Sequence, residues 1–228
     1  MSAPRIVEYA SREALADGLA ARLAARLRRL AAAHGRASIA VPGGTTPGGM
    51  LARLGAADLP WEKVAVTLTD ERWVPPSSPR SNQRLVAETL FRAAAAAAEF
   101  VPLYGATAEP AQSLGSVIAA LERIALPLDI AVLGMGADMH TASLFPGARG
   151  LDAALAADAP AAVAITAPGA AELRVTLSAR VLRGAGERHL LIAGAEKRAA
   201  LERAQATGDP RRAPVLVALD GAMVHYAE

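Results

Sequence analysis

The sequence predicts an α/β fold: a mostly parallel sheet with helices on both faces. Three observations carry this. Short β-branched runs alternate with longer alanine- and leucine-rich stretches of helical periodicity, the pattern of repeated strand–helix units. A glycine- and threonine-rich loop, PGGTTPGG, stands where one such strand hands over to a helix. Further on, the apolar run Ile130, Ala131, Val132, Leu133 reads as a buried strand and opens into a glycine-bearing turn. With 228 residues, 53% of them hydrophobic, the chain can bury a sizeable core in one large domain. No linker, repeat or composition break divides it, so residues 1–228 are expected to form a single domain.

In chain order, residues 5–9 read as a strand. Ser11 then caps a long helix in which Leu15, Leu19, Leu23, Leu27 and Leu30 recur at three- and four-residue spacing, and Gly35 ends it. Residues 37–41 form a second strand. After the glycine loop, Thr46 followed by Pro47 suits an N-cap with a proline at the first helical position. Residues 64–69 give a third strand, which leads into DERWVPPSSPRSN. The prolines and serines there predict a loop of about a dozen residues, long enough to suspect function. Ser81 caps the next helix, expected to continue through the alanines at 93–98. A short strand at 101–103, a helix at 109–124 and a strand at 129–133 follow. Short strands are expected at 163–166 and 173–177, and a helix from Ser178. A strand at 188–193, a helix from Ala195 and a final strand at 215–219 complete the pattern.

Composition narrows the function classes. The longest apolar runs fall far short of the ~20 residues that a bilayer span needs. The segment MSAPRIVEYASRE has no basic stretch followed by an apolar one, so no secretory leader is expected. Cysteine is absent, which removes disulfides, thiolate nucleophiles and cysteine metal sites together and fits a cytoplasmic setting. The net charge is a mild +2, and Lys63 and Lys197 are the only lysines. Arg22, Arg26, Arg28 and Arg29 cluster on the first helix. With aromatics at 4% and none interleaved, they read as a solvated helix face rather than a nucleic-acid patch.

The chemistry concentrates at strand ends. Asp138 and His140 stand two residues apart in LGMGADMHTASLFPG, just beyond the strand at 129–133, and ligands of open α/β sheets bind outside the C-terminal ends of the strands. Three readings are open on these residues alone. One is a satisfied core histidine, and another a metal pair without an evident third ligand. The third is a general base with an orienting carboxylate, for which histidine's unperturbed pKa of ~6.5 is well suited. Gly134 and Gly136 begin a dinucleotide-like glycine pattern, but its sixth position is Met139.

Gly43, Gly44 and Thr45 let backbone amides approach an anion at a helix N-terminus, although a tight strand–helix turn needs the same glycines. No Gly-Lys-Ser/Thr follows, so a monophosphate or sugar phosphate fits better than a nucleoside triphosphate. Asp70, Glu71 and Arg72 end the third strand and point to the same crevice, where acids suit hydroxyl binding or proton transfer and Arg72 suits an anion; a solvated loop is the alternative. Lys197 in GAEKR is a lysine retained in an arginine-dominated chain, and Arg174 offers a second cation. His34, His189 and His225 read as structural or surface residues. No G-x-S-x-G elbow is present, so a serine-hydrolase mechanism is unsupported.

Four segments, VPGGTTPGGML, TDERWVPPSSPRSN, LGMGADMHTASLFPG and GAEKRAAL, with RVTLSARVL as a weaker fifth, resemble in order and spacing the 6-phosphogluconolactonases, relatives of the glucosamine-6-phosphate deaminases. The resemblance spans residues 37–201. It implies a Rossmann-like α/β sheet and hydrolysis of 6-phosphoglucono-δ-lactone to 6-phosphogluconate, the second step of the oxidative pentose phosphate pathway. It implies no metal or organic cofactor. The partner it implies is a small sugar-phosphate lactone, with no nucleic acid and no membrane; the oligomeric state stays open, a monomer included.

The resemblance also implies roles. His140 activates water, Asp138 orients the imidazole and Arg72 stabilises the developing oxyanion. Gly43, Gly44, Thr45, Arg174 and Lys197 hold the 6-phosphate, while Asp70 and Asn82 contact sugar hydroxyls or brace the site. Two details favour the lactonase branch. TASLFPG after the Asp-x-His turn lacks the glutamate that the deaminases carry there, and Arg72 stands where they have tyrosine. A deaminase-like enzyme and a non-catalytic sugar-phosphate sensor are the alternatives. One departure is Met139, where both branches usually have glycine. If that position has positive φ, a methionine costs about 1–2 kcal/mol.

Overall fold

The computed structural model describes residues 3–169 and 172–228. The chain opens with β1 (Arg5–Tyr9) and α1 (Arg12–His34). Ser11 accepts a hydrogen bond from the Ala14 amide at the start of α1, and Gly35, at φ 74°, ends it. The five leucines of its periodic stripe are all buried. There follow β2 (Ala37–Val41), α2 (Gly48–Gly55), β3 (Val64–Leu68), β4 (Asp70–Arg72), α3 (Asn82–Thr89) and β5 (Glu99–Val101). Next come α4 (Leu114–Ile124), β6 (Ile130–Gly134), α5 (Leu151–Leu155), β7 (Ala162–Ile165), β8 (Arg174–Leu177) and α6 (Ala179–Gly184). The chain closes with β9 (Glu187–Ala193), α7 (Ala195–Thr207), α8 (Leu216–Leu219) and β10 (Met223–Ala227).

Seven strands form a parallel sheet in the order β1-β10-β9-β6-β2-β3-β5. Every residue of β2 and β3 is buried, so both faces of the sheet are covered, as the helices of an α/β fold require. From β2 the chain steps outward to β3 and β5. It then returns to the other side of β2 as β6 and steps the opposite way to β9 and β10. Loops leaving β2 and β6 therefore diverge, and this reversal opens a crevice at their C-terminal ends. A smaller antiparallel sheet, β4-β8-β7, stands beside it.

Several elements differ from the sequence expectation. Helix α2 begins at Gly48 with Pro47 at its cap and no side-chain cap bond, so Thr46 does not cap it. The DERWVPPSSPRSN segment is not all loop: its first three residues form β4, because β8 offers them a ladder that local sequence cannot reveal. Ser81 does cap α3, through the Arg84 amide, but that helix ends at Thr89. The alanines beyond it form a 3-10 turn, Ala93–Ala97, entered with Ala93 at φ 50°; tertiary packing overrides their helix propensity. The following strand lies at Glu99–Val101 rather than 101–103.

The helix expected at 109–124 divides into a 3-10 turn, Pro110–Gln112, and α4. The run at 215–219 carries the helical turn α8, and the last strand is β10. A short apolar run does not distinguish the two by periodicity, and the buried polar His225 hides the strand character of MVHYA.

Among the described residues no helix is long and apolar enough to cross a membrane. In the arginine cluster of α1, Arg26 pairs with Glu187 at 2.6 Å and Arg28 donates to the Asp58 carbonyl. His34 is exposed at the end of α1. His189 and His225 are buried and linked, with His189 Nδ1 3.0 Å from His225 Nε2 and the Tyr9 hydroxyl 2.8 Å from His225 Nδ1. Burial pushes both imidazoles below their ordinary pKa, His225 to about 3, and the neighbouring histidine and Arg22 add to that shift at His225.

Candidate active site

The crevice at the β2/β6 reversal has a volume of about 350 Å³. One wall is the loop after β2, with Gly43, Gly44 and Thr45. Another is the turn after β6, with Gly136 and His140. Asp70, Arg72 and Arg174 enter from the small sheet, Asn82 from the start of α3, and Lys197 from the first turn of α7. All of the sequence-predicted site residues line this one space except Asp138, which is exposed and hydrogen-bonded to His140.

The turn after β6 is built around the Asp–His pair. Asp138 Oδ1 lies 2.6 Å from His140 Nδ1 and also accepts the His140 amide at 3.3 Å. Burial opposes ionisation of Asp138, but the charge and hydrogen bonds of His140 outweigh it and hold its carboxyl below the usual value. With Nδ1 engaged, Nε2 is the ring nitrogen left without a hydrogen bond among the described residues. The pair leaves no room at Gly136, where a Cβ would collide with both His140 Nδ1 and Asp138 Oδ1. Met139 does adopt positive φ, at 67°. Its amide donates to the Gly136 carbonyl at 3.0 Å, its carbonyl accepts from the Val215 amide at 3.1 Å, and its side chain packs against the core.

The small sheet supplies cations. Arg72 and Arg174 are direct partners across β4 and β8. Each has a buried Nε without a hydrogen-bond partner among the described residues. Burial disfavours the charged form of Arg174; Asp70, 4.0 Å away, opposes that effect and Arg72 reinforces it. Asp70 is itself buried, accepting from Ser143 Oγ at 2.6 Å and Thr69 Oγ1 at 3.3 Å, so its carboxylate ties β4 to the histidine loop. Asn82 donates to the Asp70 carbonyl at 2.8 Å, and a Cβ at Gly43 would run into its amide. Through these contacts both residues tie the elements around the crevice to one another.

Glu71, between two site residues, points the other way. Its carboxylate is fully buried and accepts the amides of Arg72, Asn82 and Gln83 and the Ser81 hydroxyl, at 2.7–3.0 Å. Burial pushes its pKa up against those four bonds. It anchors the N-terminus of α3, a role that no local sequence signal marks. Sequence reasoning also passed over Ser143 and Phe145. Phe145 stacks on His140, and the only available hint was a rare aromatic in the same turn.

Fold and site together define an α/β protein with a histidine–carboxylate pair facing a cationic, glycine-lined wall across one crevice. The family model described as glucosamine-6-phosphate isomerases/6-phosphogluconolactonase matches residues 10–225, and the chain belongs to that family. It is 48% identical over 206 residues to a 6-phosphogluconolactonase of Rhizobium meliloti, covering 89% of this chain and 86% of that one. A 6-phosphogluconolactonase of Mesorhizobium japonicum is 46% identical over 215 residues, 94% and 90% of the two chains. Among solved structures, a 6-phosphogluconolactonase from Shewanella baltica superposes with a TM-score of 0.95 at 30% identity, covering 99% of this chain and 98% of that one.

Proposed function

We propose that this chain hydrolyses 6-phospho-D-glucono-1,5-lactone to 6-phospho-D-gluconate, the second step of the oxidative pentose phosphate pathway, in the cytoplasm. The observation that carries the mechanism is the 2.6 Å Asp138–His140 bond, which leaves Nε2 as the free nitrogen of a crevice-lining imidazole. In this reading Asp138 accepts Nδ1–H and fixes the tautomer in which Nε2 is basic. Nε2 takes a proton from water as the water oxygen bonds to the lactone carbonyl carbon. Arg72, with nearby backbone amides, stabilises the oxyanion of the tetrahedral intermediate. Collapse breaks the bond between C1 and the ring oxygen, which leaves as a hydroxyl with the proton from the imidazolium.

The 6-phosphate lies against Gly43, Gly44 and Thr45, with Arg174 and Lys197 as counter-charges. Holding that remote group orients the reacting carbonyl, so binding energy serves catalysis. Hydrolysis by these groups requires no cofactor. The family description spans two activities; the absence of a carboxylate in TASLFPG favours the lactonase over the amino-sugar-phosphate deaminase.

The substrate hydrolyses spontaneously, so the test is its rate of loss against an enzyme-free blank. The parent protein should exceed the blank, and His140→Ala should lose about 10²–10⁴-fold. Near-normal turnover by His140→Ala would remove the base assignment. Equal hydrolysis of unphosphorylated gluconolactone would remove the phosphate site, and ammonia release from glucosamine 6-phosphate would favour the deaminase.

A further inference from the structure

One aromatic ring joins the two halves of the crevice. Phe145 lies five residues beyond His140, in the loop after β6. Its ring stacks on the His140 imidazole with centroids 4.1 Å apart and planes inclined by 29°. The Cζ of Arg174, which comes from β8 in the small sheet, lies 5.2 Å from the centroid of the same ring. Phe145 is partly buried and packs against the core, so its position is set from behind.

The Asp138 bond fixes one atom of the imidazole but leaves the ring free to swing about that point. A stacked aromatic face defines the plane of the ring, and therefore the direction of Nε2. The same π-face attracts the guanidinium of Arg174, which also has Asp70 at 4.0 Å and the like charge of Arg72 opposite it.

We propose that Phe145 is a positioning residue for lactone hydrolysis: it sets the plane of His140 and the spacing between that base and the Arg174 cation. The proposal rests on the lactonase function given above. A substrate held by its phosphate at one end and attacked at its carbonyl needs base and cation in fixed register, and one shared ring supplies it.

Two substitutions test this. Phe145→Leu keeps an apolar side chain but removes the π-face; Phe145→Tyr keeps the face. With circular dichroism and Tm matching the parent, Phe145→Leu should lose about 10–100-fold in kcat, the scale of a small misplacement of reacting groups, with a smaller rise in KM. Phe145→Tyr should restore most of the loss. A folded Phe145→Leu protein with parental kcat, or a tyrosine variant no better than leucine, would overturn the proposal.

Proton NMR supplies a readout independent of turnover. The His140 Hε1 signal, assigned by its loss in His140→Ala, should be shielded by the ring current in the parent and in Phe145→Tyr, and move downfield in Phe145→Leu. An unmoved signal would overturn the stacking arrangement. A parent no faster than the blank would instead overturn the lactonase function, while the NMR result would still decide whether Phe145 holds His140.

Discussion

Arg72 and Arg174 face each other directly across β4 and β8, each with a buried Nε that no described residue accepts. Like charges opposite one another destabilise a ladder; the Asp70 carboxylate, 4.0 Å from Arg174, and the charge of Glu172 oppose this at Arg174. In the proposed function Arg174 holds the 6-phosphate, so an anion there offsets that repulsion. Inorganic phosphate or 6-phosphogluconate should therefore raise Tm, by mass action on the native state. Arg174→Leu should lose most of that response, and its KM for the lactone should rise about tenfold or more, the scale of one lost charge-assisted bond. An undiminished Tm response in Arg174→Leu would remove Arg174 from the anion site.

Gly136 is required by the Asp138–His140 pair. A Cβ there collides with both partners, so Gly136→Ala should separate them and lower kcat about 10-fold or more, with Tm nearly unchanged if only those side chains move. Steady-state kinetics beside a thermal melt check this. An active Gly136→Ala enzyme would show that the pair is dispensable.

Met139 at φ 67° carries left-handed strain that glycine would relieve, yet its side chain packs against the core. The two effects oppose each other. Met139→Gly should change stability by no more than about 1 kcal/mol. Met139→Val, β-branched at positive φ, should cost about 2 kcal/mol or more. Denaturant melts of both variants give the comparison.

Glu71 accepts from four N–H and O–H donors, and an amide nitrogen can replace neither of its oxygens. Glu71→Gln should thus destabilise by about 1–3 kcal/mol although it removes a buried charge. Stability equal to the parent's would mean that the bonds to α3 contribute little.

The buried histidines give acid sensitivity with a definite sign. His225 titrates at about 3 in the native state and His189 is also depressed, against an ordinary value of 6.5. The unfolded chain therefore binds more protons than the native one below about pH 6.5, and stability is lost as pH falls from there toward about 3. Each histidine contributes a slope of up to about 1.4 kcal/mol per pH unit. Stability measured from pH 7.5 to 4.5 should fall, and His225→Phe should flatten the decline. An equally steep decline in His225→Phe would assign it elsewhere.

Much of this was legible in the sequence because the signals are local. Ser11, the leucine stripe of α1 and Gly35 define a helix by rules that act within one turn. His140, Asp70 and Arg72 could be placed in one crevice because strand ends in a parallel sheet share one side, whereas Gly43 and Lys197 joined them through the family resemblance. What was missed depends on distant partners. The strand at Asp70–Arg72 exists because Arg174–Leu177 pairs with it about a hundred residues later. Glu71 reads as a third site acid until its four donors are known, and the run at 215–219 lacks the periodicity that separates helix from strand.

The parallel pairing of β1 with β10 matches Arg5 with Met223 and Tyr9 with Ala227. Strand β1 has no other neighbour in the sheet, and it carries Ile6, the one large apolar side chain left exposed among the described residues. Strand β1 finds its ladder on a segment more than two hundred residues further along the chain. Pairing this edge of the sheet therefore carries a long loop-closure requirement, of the kind that slows folding.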